Sequence, residues 1–231
     1  MMQQKRITRS YIKADTTTER REAAVSAARL GRIEDEFRKA FEFLDSLPKN
    51  VSFFGSSQTP PGSLYYEKAR TLAARLVTQH NLGIVTGGGP GIMEAANRGA
   101  LESGGVSAGL TIDLTHIEAS NAFTNTRLDF HYFFARKVAL SYTASMYIFF
   151  PGGFGTLDEF FELITLIQTR KIKRLPVICF GASYWEPLGR FMEYYMHRSD
   201  GYIQKSDLQL YTITDDLELV LRLARDLPDR E

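Results

Sequence analysis

The chain holds a single cysteine, Cys179, in 231 residues, which excludes a disulfide within it. Its setting, Pro176-Val177-Ile178-Cys179-Phe180, reads as a buried strand in which the thiol belongs to the core. The four histidines and that one cysteine form no group with metal-ligand spacing, so neither a metal nor a cofactor is expected. Charge of either sign is not in excess: 28 Lys and Arg face 27 Asp and Glu, so no overall field marks a nucleic-acid or membrane-surface binder. Long apolar runs are missing too. The longest, Val138 to Phe150, is interrupted by Ser141, Thr143 and Ser145 and is too short to cross a bilayer. The first residues are polar and charged, without the apolar segment of a secretion signal, and the expected location is cytoplasmic. A small-molecule ligand is the class that remains.

What the sequence does have is one stretch, Tyr147 to Glu159, that joins a strand, a glycine turn and a helix start. Met146 to Phe150 is short, aromatic and β-branched and stops at Pro151, the pattern of a strand buried on both faces. Gly152, Gly153 and Gly155 then let the backbone approach a ligand with no Cβ in the way. Thr156 reads as a helix N-cap, with Asp158 and Glu159 in the first turn, where carboxylates suit the dipole. Free N–H groups at such a turn form an anion site. Thr156 and Glu159, three apart, share a helix face. The same pair is equally a capping box, in which Glu159 serves only the helix.

Residues 1–49 read as an N-terminal helical arm and 50–231 as the main domain. From Thr16 to about Leu47 a helical period puts Leu30, Ile33, Phe37, Phe41 and Leu44 on one stripe, with Gly31 as a candidate break and no obvious chemistry. Val51 to Phe54 is the first strand, followed by the turn Gly55-Ser56-Ser57 and a helix from Ser63 to His80. Gly83 to Thr86 is the second strand; Gly87-Gly88-Gly89-Pro90-Gly91 then opens another helix, without the spacing of G-x-G-x-x-G or of the P-loop. NAD and ATP-driven chemistry lose weight accordingly. Val106 to Leu110 is a third strand, and Asp113 to Asn125 is irregular, a candidate binding loop. His131 to Leu140 reads as a helix bearing Arg136 and Lys137, a pair that is also the pattern of a solvated face. Beyond Glu159 the helix runs to about Lys171; a strand at Leu175 to Phe180, a helix at Tyr184 to His197, a strand at Leu208 to Ile213 and a closing helix from Thr214 follow. This alternation predicts an open, mostly parallel α/β sheet with helices on both faces. Ligands bind such sheets at the carboxyl ends of the strands, where the turns at Gly55, Gly87 and Gly152 gather.

The segment Pro151-Gly152-Gly153-Phe154-Gly155-Thr156-Leu157-Asp158-Glu159 matches PGG-x-GT-x-x-E completely. Gly87 to Met93 matches GGG-x-x-G-x-M with one residue fewer before the methionine. With Arg136-Lys137 between them, these motifs resemble the LOG (Lonely Guy) family over about Val51 to Phe180. The resemblance implies a Rossmann-like homo-oligomer, a dimer or larger, that hydrolyses the N-glycosidic bond of nucleoside 5′-monophosphates such as AMP or cytokinin nucleotides. The products are the free base and ribose 5-phosphate, an AMP-nucleosidase-like reaction. It implies Arg136 and Glu159 as the catalytic pair, with Lys137 beside them. Gly152, Gly153, Phe154, Gly155 and Thr156 would hold the nucleotide, together with the turns at Gly55-Ser56 and Gly88-Gly89. Glu118 and Thr165 match further substrate contacts by spacing. Many members carry an older description as lysine decarboxylase, and nothing in this sequence resembles a pyridoxal site.

The chemistry asks for the same residue types. Breaking a C1′–N bond builds positive charge on the ribose, which a carboxylate near C1′ stabilises. Glu159 suits that role, while Arg136 either contacts the substrate or orients Glu159. A non-catalytic nucleotide-binding or sensing module on the same fold would keep the glycines and need neither residue.

Overall fold

The structure is a computed structural model that describes residues 16–112, 120–142 and 144–227. Its centre is a sheet of seven strands in the order β4-β3-β2-β1-β5-β6-β7, every neighbouring pair parallel. The strands are β1 (Asn50–Phe54), β2 (Gly83–Thr86), β3 (Ser107–Ile112), β4 (Thr126–Phe130), β5 (Met146–Phe149), β6 (Val177–Phe180) and β7 (Thr212–Thr214). Between and around them run α1 (Thr16–Ser46), α2 (Leu64–His80), α3 (Ile92–Glu102), α4 (Phe133–Tyr142), α5 (Phe154–Gln168), α6 (Ala182–Phe191) and α7 (Leu217–Arg225). The chain builds outward from β1 to β4, then returns over the sheet through α4 and continues on the other side of β1 with β5. The switch point of this Rossmann-like fold therefore lies between β1 and β5, where such sheets form a ligand crevice.

Alternation along the inner strands feeds two cores. Val51, Phe53, Ile148 and Phe150 pack with Tyr66, Leu72, Ile92, Ala95 and Val220 from α2, α3 and α7. Phe54, Val85, Tyr147 and Phe149 pack with Ala40, Leu44, Ala135, Phe160 and Trp185 from α1, α4, α5 and α6. Cys179 is buried in this second core, and burial pushes its thiol well above the ordinary range.

Several expectations are corrected. Gly31 does not break the arm, whose helix is continuous over 31 residues; one exposed glycine costs only about 1 kcal/mol. The fully buried residues of α1 are Ala40 and Leu44, followed by Leu47 just past its end, rather than the whole expected stripe, and Leu30 and Phe41 stay 66% and 46% exposed. Thr126–Phe130 forms an edge strand where none was expected, because it pairs only with β3 and turns Arg127 and Asp129 outward. Downstream, α6 widens into π-helical turns over Met192–Ser199. The expected late strand at Leu208 is a short 3-10 turn, Lys205–Gln209, with the paired residues limited to Thr212–Thr214.

Candidate functional site

The three glycine turns meet on one edge because β1, β2 and β5 are adjacent and parallel. Ser56 N–H donates to Pro151 O at 3.0 Å, and Ile92 N–H donates to Ser56 O at 3.1 Å, which joins the turns backbone to backbone. Gly91 has φ of 71°, and a Cβ there would overlap Ser56 O, so close approach and conformation both require glycine. A buried amide network lies beneath the second turn. Thr86 Oγ1 accepts from Gly88 N–H at 2.9 Å and donates to Asn97 Oδ1 at 2.6 Å. Asn121 Nδ2 donates to Asn97 Oδ1 and Gly89 O, and Asn97 Nδ2 donates to Ser107 Oγ.

The helix after Pro151 starts earlier than its sequence suggests. Gly153, in an extended conformation, is the N-cap of α5; no side chain caps it, and Leu157 N–H closes the first turn on Gly153 O. Thr156 is thus inside the helix, buried against Gly152, and Asp158 and Glu159 lie in the second turn. Glu159 is too far from Gly153 to close a capping box, so that reading of Glu159 falls. The backbone N–H groups of Phe154 to Thr156 belong to the helix start, where partial positive charge collects. Phe154 is 95% exposed, and a Cβ at Gly153 or Gly155 would meet nothing within 4 Å, so this face of the turn is open.

α4 brings the basic pair to the same edge. Arg136 Nε donates to Leu110 O at 2.8 Å and its guanidinium to Gly87 O at 3.3 Å, so it closes over the ends of β3 and β2. Lys137 Nζ lies 2.7 Å from Asp158 and 2.9 Å from Glu162, with only 17% of its side chain exposed. Neither is a solvated face. Burial works to lower the Lys137 pKa, but the bonds to Asp158 and Glu162 outweigh it and push the ammonium well above the ordinary lysine value. Half-buried Glu159 goes the other way for a carboxylate. Desolvation raises it to about 7, against the lowering by Lys137 and Arg136, with Glu162 and Asp158 adding to the rise.

Of the residues expected at the site, Gly55, Ser56, Gly88, Gly89, Arg136, Lys137, Gly152, Gly153, Phe154, Gly155, Thr156 and Glu159 lie along this edge or on the helices that open from it. Thr165 does not join them. It is exposed about 9 Å further along α5 than Glu159, and its hydroxyl donates back to Phe161 O. Glu118 lies outside the described residues. Sequence reasoning missed Glu162 as a partner of Lys137, Tyr184, whose hydroxyl donates to Gly152 O at 2.6 Å, and the Asn97–Asn121 pair. Only Glu162 left a signal, three residues after Glu159 on the same helix.

A family model described as possible lysine decarboxylase matches residues 93–224. A cytokinin riboside 5′-monophosphate phosphoribohydrolase of Rhodococcoides fascians is 27% identical over 181 residues, covering 77% of this chain and 90% of that protein. One of the same description from Arabidopsis thaliana is 28% identical over 194 residues, 81% of this chain and 82% of its own. Among solved structures, a molybdenum cofactor carrier protein of Chlamydomonas reinhardtii superposes with a TM-score of 0.56 at 18% identity, over 78% of this chain and 98% of that one. That likeness concerns the fold alone.

Proposed function

The chain belongs to the LOG family, whose model is described as possible lysine decarboxylase, and from that premise we propose that it hydrolyses the N-glycosidic bond of nucleoside 5′-monophosphates. The substrates are AMP or cytokinin-type nucleotides, and the products are the free base and ribose 5-phosphate. The observation that carries this reading is Glu159: a half-buried carboxyl with its pKa raised to about 7, beside Arg136 and Lys137, on the helix that opens from the glycine turn.

In this reading the 5′-phosphate sits against the N–H groups of Phe154 to Thr156, which supplies the remote binding energy that aligns the sugar. Glu159 stands about 8 Å along α5 from Phe154, a span that suits C1′ beside it. As the C1′–N bond lengthens, the carboxylate stabilises the positive charge on the ribose. With a pKa near neutrality it also accepts a proton from the attacking water, whose oxygen bonds to C1′ while the bonding pair leaves with the base. That proton then passes to the departing base. Arg136, held by Leu110 O and Gly87 O, contacts the substrate beside Glu159, and Lys137 keeps the carboxylates in place. A Schiff-base role does not suit Lys137, since such chemistry needs a neutral amine and two carboxylates hold this one charged.

The unit that does this is 50–231, and the arm, 1–49, packs on it through Ala40, Leu44 and Leu47. We also place the protein in the cytoplasm and in a homo-oligomer; among the described residues no helix is long and apolar enough to cross a membrane. The test is a panel of nucleoside 5′-monophosphates assayed for released base with wild type and Glu159→Gln. Base release by wild type alone supports the reading. Nucleotide binding with no base release from any substrate would leave a binding module.

A further inference from the structure

Among the described residues of the arm, the Glu36 side chain reaches the start of the helix that carries Arg136. Glu36, on α1, accepts from His131 N–H at 2.8 Å with one carboxylate oxygen and from Tyr132 N–H at 3.1 Å with the other. These two amides immediately precede α4, and Tyr132 O accepts from Arg136 N–H at 3.2 Å, so they belong to the turn from which Arg136 is hung. α4 has ten residues and no acidic residue in its first turn, so the negative charge at its start comes from the arm. Beside the carboxylate, Phe37 packs on Phe134 with ring centroids 6.4 Å apart, and Ala40 and Leu44 are buried in the core below.

We propose that Glu36 is a positioning residue for the reaction: by binding the two amides ahead of α4, it sets where that helix starts and so where the Arg136 guanidinium meets Gly87 O and Leu110 O. The inference rests on the proposed glycosidase activity for its consequence, and on Glu36, His131 and Tyr132 alone for its geometry. Its reach is short. Arg136 is four residues past Tyr132, one turn of the helix, and a turn with unbonded amides at its start frays from that end. Its place matters as well as its charge: Asp35, next to it, pairs among the described residues with Arg38 and Lys39 of its own helix.

The experiment compares Glu36→Ala, Glu36→Gln and the control Asp35→Ala, using base release from AMP and hydrogen exchange of the full chain. Glu36→Ala is expected to lower kcat on the order of tenfold with KM for AMP little changed, because the loss falls on the transition state. Glu36→Gln, whose amide oxygen still accepts one N–H, is expected to lie between it and wild type. Asp35→Ala is expected to match wild type. In an Arg136→Ala background Glu36→Ala should cost nothing further, since the two act through one group. Amides from His131 to Lys137 should exchange faster in Glu36→Ala while those of α5 do not. Unchanged kcat with unchanged exchange at α4 would overturn the proposal, as would an equal loss in Asp35→Ala or a full additional loss in the Arg136→Ala background. Absence of base release from wild type would overturn the activity instead, and the exchange comparison would still decide for or against Glu36.

Discussion

Lys137 of α4 donates to Asp158 of α5 at 2.7 Å, which ties together the two helices that carry Arg136 and Glu159. The same ammonium is shared with Glu162 at 2.9 Å. Glu159 therefore faces a cation already engaged twice, and burial governs its proton.

A pH dependence follows from that arrangement. If Glu159 works as the carboxylate, kcat/KM for AMP should fall about tenfold per pH unit below about 7. Lys137→Met removes a charge that lowers the Glu159 pKa, so the acid limb should move to higher pH. Rates measured from pH 4 to 9 check both; a limb near pH 4.5 would mean that burial does not raise the carboxyl that works in catalysis.

Stability should run against activity. The folded state holds the Glu159 proton up to about 7 and the unfolded chain only to its ordinary 4.5. Its contribution is thus fully present below about pH 4.5 and is lost as pH rises through 7. The loss is about 2 kcal/mol once partial exposure is discounted. Glu159→Gln should melt higher than wild type at pH 8, approach it at pH 5, and release almost no base. Calorimetry at the two pH values reads the difference; equal gaps would show that the carboxyl is not strained by burial.

Arg136→Ala should impair turnover by on the order of a hundredfold or more, because it removes a charged donor from the reacting edge and leaves Gly87 O and Leu110 O without it. Arg127→Ala should have little effect, since Arg127 lies exposed on β4 near Asp129. Similar losses in the two variants would argue against a specific role for Arg136.

The glycine turn can be divided by one substitution. Gly152→Ala would drive a Cβ into Thr156 Oγ1 and should lower expression and stability, whereas Gly155→Ala meets open space and should fold normally. Gly153→Val should fold yet lose nucleotide binding, because its side chain would enter the space of the phosphate. AMP should be cleaved on the order of a hundredfold better than adenosine, since charge-assisted hydrogen bonds are worth about 1.5–3 kcal/mol each. Thr156→Val should narrow that gap. Equal efficiency on both substrates would assign the turn to packing alone.

Self-association is expected of the exposed side chains Leu30, Phe41 and Phe134. Light scattering should report a dimer or larger, and Phe41→Glu with Leu30→Glu should shift it towards monomer. A monomeric, fully active wild type would refute this.

The inner strands could be read from the sequence because a strand buried on both faces must be apolar throughout, as Met146 to Phe150 is. The edge strand β4 was missed, since in the short run Thr126-Arg127-Leu128-Asp129-Phe130 only Leu128 and Phe130 reach the core while Arg127 and Asp129 face solvent. At the site, Arg136, Lys137 and the role of Glu159 were implied by the family resemblance, while the glycine turns were legible from local spacing. Pairings across elements were not: Lys137 with Glu162 joins residues on two helices, and Glu36 with His131 joins residues 95 apart. The start of α5 was misplaced because Thr156 has the chemistry of a cap, while Gly153, which has none, takes the position by backbone conformation.

The amide of Asn97 is fully buried. It holds Thr86 under the second glycine turn and Asn121 in the segment after β3, with Ser107 on its other side. Two surface connections that are far apart in the chain are thereby anchored to a single buried carboxamide. Neither can change its length or path without disturbing the other, so among relatives, insertions near residues 120–125 should be accompanied by altered residues at 86 to 89.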